Sequence, residues 1–433
     1  MKDERTLKSN DNKKRFPLKL IISAAFILLL LITAFVFIFI VQIKPDPVSE
    51  SIIRKAAATR LNEDQTEGEA IIRKAAGRQL NKDPDELTDE DFAGITELCV
   101  AEKGVSRIAG LPGTIETYRR AELSDIELLA KFVNLEVLDL SYLSYPQKNM
   151  PAQPSSPEKT DIVTPSFDLS PLKDLTKLRK LKIDNTPVND IEPLAGLTNL
   201  ESLTLSRKTQ ISNINALTGL TKLESLDLGY SQISAIKPIA GLAKLESLEL
   251  NNNQISDITP LAGLTNLKSL DLSDTQISDI KPLASLANLE SLILNKTKIS
   301  DFRPLADLTK LESLTLDNSQ ISDFGTLKEL TNLHVLSLFR TNISDLEPIS
   351  GLTNLQKLVV NDTQVTDLEP LRELTNLQEL YISKTPVTNL EPIKGLTNLR
   401  TLYIQRCDNI TDEQVKELQK ALPNLRILRG VLA

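Results

Sequence analysis

Tryptophan is absent from this chain, histidine occurs once, and cysteine and methionine occur twice each. Each scarcity closes off a kind of chemistry. One imidazole and two thiols cannot build a His/Cys metal cluster or a set of nucleophile, base and orienting residue. No Gly-rich phosphate loop is present either, so no enzyme activity, cofactor or metal is expected. Cys99 and Cys407 fall at opposite ends of the repetitive region, whereas a disulfide needs Cα atoms about 5.5 Å apart, so the fold is not stapled. A net charge of -8 argues against nucleic acid as a partner, because nucleic-acid binders usually present a basic face. The lone His334 reads as a solvated neighbour on a strand edge.

Leucine at a fixed interval is what the chain has in quantity. Leu223, Leu245, Leu267, Leu289, Leu311, Leu333, Leu355, Leu377 and Leu399 open successive copies of a 22-residue unit, L-x-x-L-x-L-x-x-(T/S/N)-x-(I/V)-x-x-(I/L/F)-x-x-(L/I)-x-x-L-x-x. Such a period marks a solenoid whose units bury their apolar edges only against one another. Leu245, Leu248 and Leu250 alternate with an outward Glu249, the period of a short strand, and stacked copies predict a parallel sheet. The next place, Asn253 here and Thr186, Ser231, Thr275, Thr297, Ser319, Thr341, Thr363, Thr385 or Cys407 elsewhere, is suited to bonding buried backbone groups where the chain turns inward. Ile255, Ile258, Leu261 and Leu264 then recur every three residues, which predicts a 3₁₀-like back wall. Asp257, Asp279, Asp301, Asp345 and Asp367 each stand three places before a proline and read as capping carboxylates, which removes the need for a calcium site.

The flanks differ in composition. Residues 1–19 are predominantly basic and residues 20–43 carry no charge. At 1.5 Å per residue that apolar run reaches about 36 Å, enough for the roughly 30 Å hydrocarbon layer. It is expected to be an uncleaved transmembrane signal anchor, with a long signal peptide as the rival, and the basic excess before it predicts a cytoplasmic N-terminus and extracytoplasmic repeats. Residues 44–94 read as a linker and helical N-cap: Ile52-Ile53-Arg54-Lys55-Ala56-Ala57 recurs as Ile71-Ile72-Arg73-Lys74-Ala75-Ala76, and Thr88 with Asp91 forms a capping-box signature. Membrane-surface helices are the alternative for this stretch. Repeats are assigned to 95–404, with inserts near 101–121 and 142–165; the second is rich in Pro and Ser and is expected to be a loop. One extra residue near Arg207 to Thr209 predicts a bulge. Residues 405–433 are expected to be a capping repeat whose helix starts at Thr411.

The phrase Asp257-Ile258-Thr259-Pro260-Leu261, followed by Leu264-Thr265-Asn266-Leu267, resembles the internalin-type leucine-rich repeats of bacterial surface proteins over roughly residues 95–430. The resemblance implies an α/β horseshoe with a concave parallel sheet used for protein binding. The chain departs from that family's usual Asn at the place after the strand, and it shows neither an immunoglobulin-like region nor a wall-sorting signal after the repeats, so host-cell invasion does not carry over.

Outward strand places line the concave face. Ser202, Ser225, Ser247, Ser269, Ser291 and Ser313 share one column beside Glu201, Glu224, Glu246, Glu290 and Glu312. Further along, Ile293, Val335, Phe339, Val359, Tyr381 and Tyr403 replace them. Val359, Tyr381 and Tyr403 fall on consecutive strands about 4.8 Å apart and predict a continuous apolar strip, although β-propensity alone also favours these residues there. The function expected is a membrane-anchored, extracytoplasmic leucine-rich-repeat module that holds a protein or surface polymer on its concave face and meets the lipid bilayer through residues 20–43. The alternative is a cytosolic regulatory scaffold resembling phosphatase-binding leucine-rich-repeat proteins. The sequons at Asn295, Asn342, Asn361 and Asn409 follow from the repeat composition and matter only in a eukaryotic secretory pathway.

Overall fold

A computed structural model describes residues 69–100, 102–106, 115–119, 126–143, 166–207 and 209–430. From β4 (Val137–Asp139) to β14 (Glu379–Tyr381) each coil enters on a three-residue strand, turns on a left-handed residue, and returns along a 3₁₀ segment. Stacking gives one parallel sheet of fourteen strands in sequence order. Its members are β1 (Glu97–Cys99), β4 (Val137–Asp139), β5 (Lys180–Lys182), β6 (Ser202–Thr204), β7 (Ser225–Asp227), β8 (Ser247–Glu249), β9 (Ser269–Asp271), β10 (Ser291–Ile293), β11 (Ser313–Thr315), β12 (Val335–Ser337), β13 (Lys357–Val359), β14 (Glu379–Tyr381), β15 (Thr401–Tyr403) and β16 (Arg426–Leu428). Every central strand residue is a leucine or isoleucine facing the core. Leu248, Leu270 and Leu292 are fully buried and in register.

The turn after the strand explains the polar place that follows it. Eleven residues at this turn, from Asn185 to Arg406, have φ between 52° and 57°. Their N–H groups point at the next coil: Asn252 N donates to Ser273 O at 2.8 Å and Lys296 N to Asp317 O at 2.8 Å. The buried hydroxyl one residue on then bonds the coil's own backbone, as Thr275 Oγ1 does to Leu272 O (2.7 Å) and Thr363 Oγ1 to Val360 O (2.6 Å). Where the extra residue enters, Thr209 Oγ1 reaches Leu205 O, four residues back instead of three. The added residue is thus absorbed before the core-facing place.

The back wall consists of 3₁₀ segments such as Thr259–Gly263 and Lys281–Ser285. Proline is the second residue of both, where its missing N–H costs nothing. Asp257 is not the cap residue of its segment. Its Oδ1 accepts the Thr259 N–H at 2.8 Å, two residues on, and Asp279, Asp345 and Asp367 do likewise toward Lys281, Glu347 and Glu369. These are Asx turns that start the segment from one place earlier.

A second ladder runs along the same wall. Asn266 Nδ2 donates to Ala243 O (2.8 Å), Asn332 to Thr309 O (2.7 Å) and Asn376 to Thr353 O (2.9 Å). Where lysine stands instead, it reaches back to the asparagine before it, as Lys222 Nζ does to Asn199 Oδ1 (2.7 Å).

Both described ends of the column are covered. A helix over residues 69–80 buries Ile72 and Ala76. The helix Asp89–Gly94 is held by the Thr88/Asp91 capping box and seats Phe92 against Phe132, ring centroids 5.0 Å apart. At the other end Asp412–Ala421, with a Thr411/Gln414 capping box, buries Leu418. The first insert holds an antiparallel hairpin, β2 (Glu102–Ser106) with β3 (Ile115–Arg119), that belongs to neither wall. The Pro-rich loop expected after Tyr142 lies outside the described residues from 144 to 165, as do the first Ile-Ile-Arg-Lys copy and the basic tail.

The expected architecture is corrected in one respect. The helix assigned to residues 20–43 lies outside the described residues, and among the described residues no helix is long and apolar enough to cross a membrane. The described helices are short caps: even the twelve residues 69–80 reach only about 18 Å, well short of the hydrocarbon thickness of about 30 Å. The fold is therefore a solenoid with helical caps. The transmembrane element, the single-pass placement with a cytoplasmic N-terminus and extracytoplasmic repeats, and the bilayer contact through residues 20–43 are withdrawn with it.

Candidate concave binding face

Strand register decides which of the expected residues meet. Val359 pairs with Tyr381 and Tyr381 with Tyr403 across β13, β14 and β15, and Leu428 of β16 continues the column beside Tyr403. The Tyr381 and Tyr403 rings stack with centroids 4.1 Å apart and planes 9° from parallel. Lys357 Nζ lies 5.1 Å from the Tyr381 ring centroid. The ring thus lies between a second ring and an ammonium, and parallel stacking along the sheet turns edges and hydroxyls, not faces, toward the open concavity.

Polar groups fix this arrangement. Tyr381 Oη donates to Glu379 Oε2 at 3.0 Å, and Lys357 pairs with the same carboxylate at 3.1 Å. Burial and the Glu379 contact push the Tyr381 phenol well above its usual range. Burial opposes ionisation of Glu379, but the bonds from Lys357 and Tyr381 outweigh it and hold the carboxyl below its usual range.

The other three residues do not join the column directly. Ile293 shares its line but is separated from Val359 by Thr315 and Ser337 on β11 and β12. Val335 stands in the adjacent column, between Ser313 and Lys357. Phe339 lies beyond the end of β12, under the Arg340 guanidinium at 4.9 Å, and its N–H donates to Asp317 Oδ1 at 2.9 Å. All six are half-buried.

Toward β7 the face becomes acidic. Asp227, Glu249 and Asp271 occupy one column on consecutive strands. Burial raises the carboxyls of Asp227 and Glu249 above their usual range, and neighbouring carboxylates add to this. They border an open cavity of about 350 Å³ lined by Lys182, Asp184, Thr204, Ser206, Arg207, Asp227, Tyr230, Glu249 and Asn251. Among the described residues no group of His, Cys, Asp and Glu is arranged to hold a metal ion.

Sequence reasoning missed the cations that frame the aromatic column, Lys357, Lys384, Arg400 and Arg406. Listing the charge of the residues one and seven places after each opening leucine would have found three of them. The sequon asparagines also have structural work: Asn342 bonds both the N–H (2.9 Å) and the carbonyl (2.8 Å) of Ile321, and Asn361 Oδ1 accepts from Ser383 N at 2.6 Å.

Comparison with known proteins agrees with this geometry. The family described as Leucine Rich repeats (2 copies) matches residues 198–242, 243–285, 287–329, 331–373 and 375–417, half of the chain. An internalin, InlF, from Listeria monocytogenes is 30% identical, with a TM-score of 0.67 over 84% of this chain and 96% of that one. A leucine-rich-repeat protein of Leptospira interrogans is 21% identical, with a TM-score of 0.57 over 71% of this chain and 81% of its own. TLR13, in a complex with ssRNA13, is 23% identical, with a TM-score of 0.52 over 70% of this chain and 47% of its own. The last two likenesses show the fold alone. No curated protein sequence matches the chain.

Proposed function

Because the chain belongs to the internalin-like leucine-rich-repeat proteins, whose repeats mediate protein–protein interaction, we propose that it recognises a protein partner through the concave face at β12–β15. Val359, Tyr381 and Tyr403 form the centre of the contact, with Val335 and Phe339 at its margin, and Ile293, on β10, falls outside it. The observation that carries this reading is the stacked tyrosine pair, 4.1 Å between centroids, on a rigid sheet. Its geometry is fixed before any ligand arrives, so little side-chain entropy is lost on binding. Tyrosine offers large contact area with a polar end, which is why it is enriched among the residues that dominate interface energies.

Affinity capture with the full chain tests the assignment against a Tyr381→Ser/Tyr403→Ser variant. Serine already occupies this column at Ser337, so the backbone accommodates it. Partners retained by the wild type should disappear from the variant while its circular dichroism stays the same. Equal recovery of the same partners from both would move the binding site elsewhere.

A further inference from the structure

The concave face carries two charge poles, and the aromatic column lies in the smaller, positive one. On each coil the face is formed by the residues one, two, four, six and seven places after the opening leucine. From β6 to β11 these places hold ten carboxylates against three cations, a net negative surface. From β12 to β15 they hold Arg340, Lys357, Lys384, Arg400 and Arg406 against Asp362 and Glu379. The sign reverses within one protein whose overall charge is -8.

The free cations lie at the far end of that pole. Asp362 already pairs with Arg340 at 2.8 Å and Lys384 at 3.7 Å, and Glu379 with Lys357 at 3.1 Å. Arg400 and Arg406 are exposed and make no ion pair among the described residues. They flank Tyr403 on its two sides, one before β15 and one after it.

Resting on the concave reading above, we propose that the partner presents an acidic protein segment with an apolar or aromatic anchor. The anchor seats on Tyr381 and Tyr403, and its acidic side chains meet Arg400 and Arg406. The negative run from β6 to β11 repels the same segment and confines it to the last strands. A basic segment would be drawn to β6–β11, where the outward columns are serines and carboxylates and no ring pair stands. Complementary charge of this kind sets association rate and register more than final affinity, and it fades as salt shortens the Debye length from about 10 Å to about 3 Å.

Selection from a displayed library of random dodecapeptides on the immobilised full chain, with counter-selection on Tyr381→Ser/Tyr403→Ser, tests the proposal. Recovered peptides should carry more Asp and Glu than Lys and Arg around an aromatic or aliphatic residue. Synthesised, they should bind about tenfold more weakly to Arg400→Glu/Arg406→Asp and weaken further as salt is raised. Glutamate stands at the place of Arg400 in Glu290 and Glu312, and aspartate at the left-handed place of Arg406 in Asp274 and Asp362, so the charge reversal leaves the coil intact, as circular dichroism would verify. Peptides that need both tyrosines but show no acidic excess, or ignore the charge reversal, overturn the proposal and leave the aromatic site standing. Peptides indifferent to the tyrosines, or an empty selection, remove the site and the proposal together.

Discussion

Asn253 donates through Nδ2 to the carbonyl of Leu228 in the preceding coil at 2.9 Å, and its Oδ1 accepts the Ile233 N–H at 3.0 Å. The same amide also bonds Leu250 O in its own coil at 3.0 Å. Thr275, Thr297, Thr341 and Thr363 at the equivalent place turn their one hydroxyl to the carbonyl three residues back in their own coil, and only Thr186, next to the second insert, reaches the preceding coil, at Leu140 O (2.8 Å). Within the regular run the buried asparagine thus ties two coils together where its threonine neighbour Thr275 ties one. Cys407 does part of this work, its Sγ reaching back to Ile382 O at 3.0 Å.

Replacing Asn253 by Thr should therefore cost more than the exchange suggests. The inter-coil bonds to Leu228 O and Ile233 N are lost in a fully buried site, and at about 1 kcal/mol per bond the destabilisation is about 2 kcal/mol. Thr275→Asn should act in the opposite direction by a smaller amount, because its neighbours are already packed around threonine. Urea denaturation midpoints of the two variants measure both. An unchanged midpoint for Asn253→Thr would mean that the ladder amide adds nothing across coils.

The left-handed turn predicts a difference between substitutions at one exposed place. Lys296 sits at φ 52°, a conformation that costs a residue with a Cβ about 1–2 kcal/mol. Lys296→Gly removes that strain but loosens the unfolded chain, so stability should change by no more than about 0.5 kcal/mol in either direction. Lys296→Val places a β-branched side chain in the same turn and should lose about 1–2 kcal/mol. The ion pair to Asp274 at 3.3 Å is solvent-exposed and does not alter the ranking. Thermal melts of the two variants provide the comparison.

Two carboxylates with shifts of opposite sign give opposite pH dependences. Asp91 is held at about 2, chiefly by the Lys82 hydrogen bond with help from Thr88. Its folded-state value is depressed, so its contribution is present above the ordinary carboxyl range and is lost as pH falls toward 2. The gap in stability between wild type and Asp91→Asn should therefore close in acid. Glu249 is raised by burial and by Asp227 and Asp271. It favours folding when protonated and loses that contribution as pH rises, so Glu249→Gln should be more stable than wild type at neutral pH, with the advantage vanishing in acid. Denaturation midpoints across a pH series check both signs.

Much of this structure was legible because a short repeat has few ways to bury its leucines. The period places Leu248, Leu270 and Leu292 in one buried row, and spacing by three marks the 3₁₀ wall. Contacts between coils were harder to read. The asparagine of Leu-Thr-Asn-Leu reads as a polar surface residue until Asn266 is seen donating to Ala243 O. Asp257 reads as a cap in the sequence because Asx turns and caps share residue types and differ only in which N–H is bonded. The hairpin Glu102–Ser106 with Ile115–Arg119 lies in an insert where no period applies. At the candidate site, alignment of Val359, Tyr381 and Tyr403 followed from the repeat, but the ring orientation depends on rotamers that column assignments do not specify.

That orientation yields the last prediction. Tyr381 and Tyr403 stack nearly parallel, so a double-mutant cycle of Tyr381→Ser and Tyr403→Ser should show a favourable coupling of about 0.5–1.5 kcal/mol. The cycle removes the area each ring buries alone and isolates what the pair adds. The same stack should appear in an alkaline absorbance titration. Burial and the Glu379 carboxylate raise the Tyr381 phenol, so it should ionise above the ordinary phenol range. A raised folded-state value means that its contribution is intact below the ordinary phenol pKa of about 10 and drains away above it. Tyr381→Phe cannot ionise and should remove that part of the alkaline destabilisation. If the coupling is near zero while Tyr381 still titrates late, the phenol is shielded by Glu379 and burial alone, and the rings act independently toward a partner.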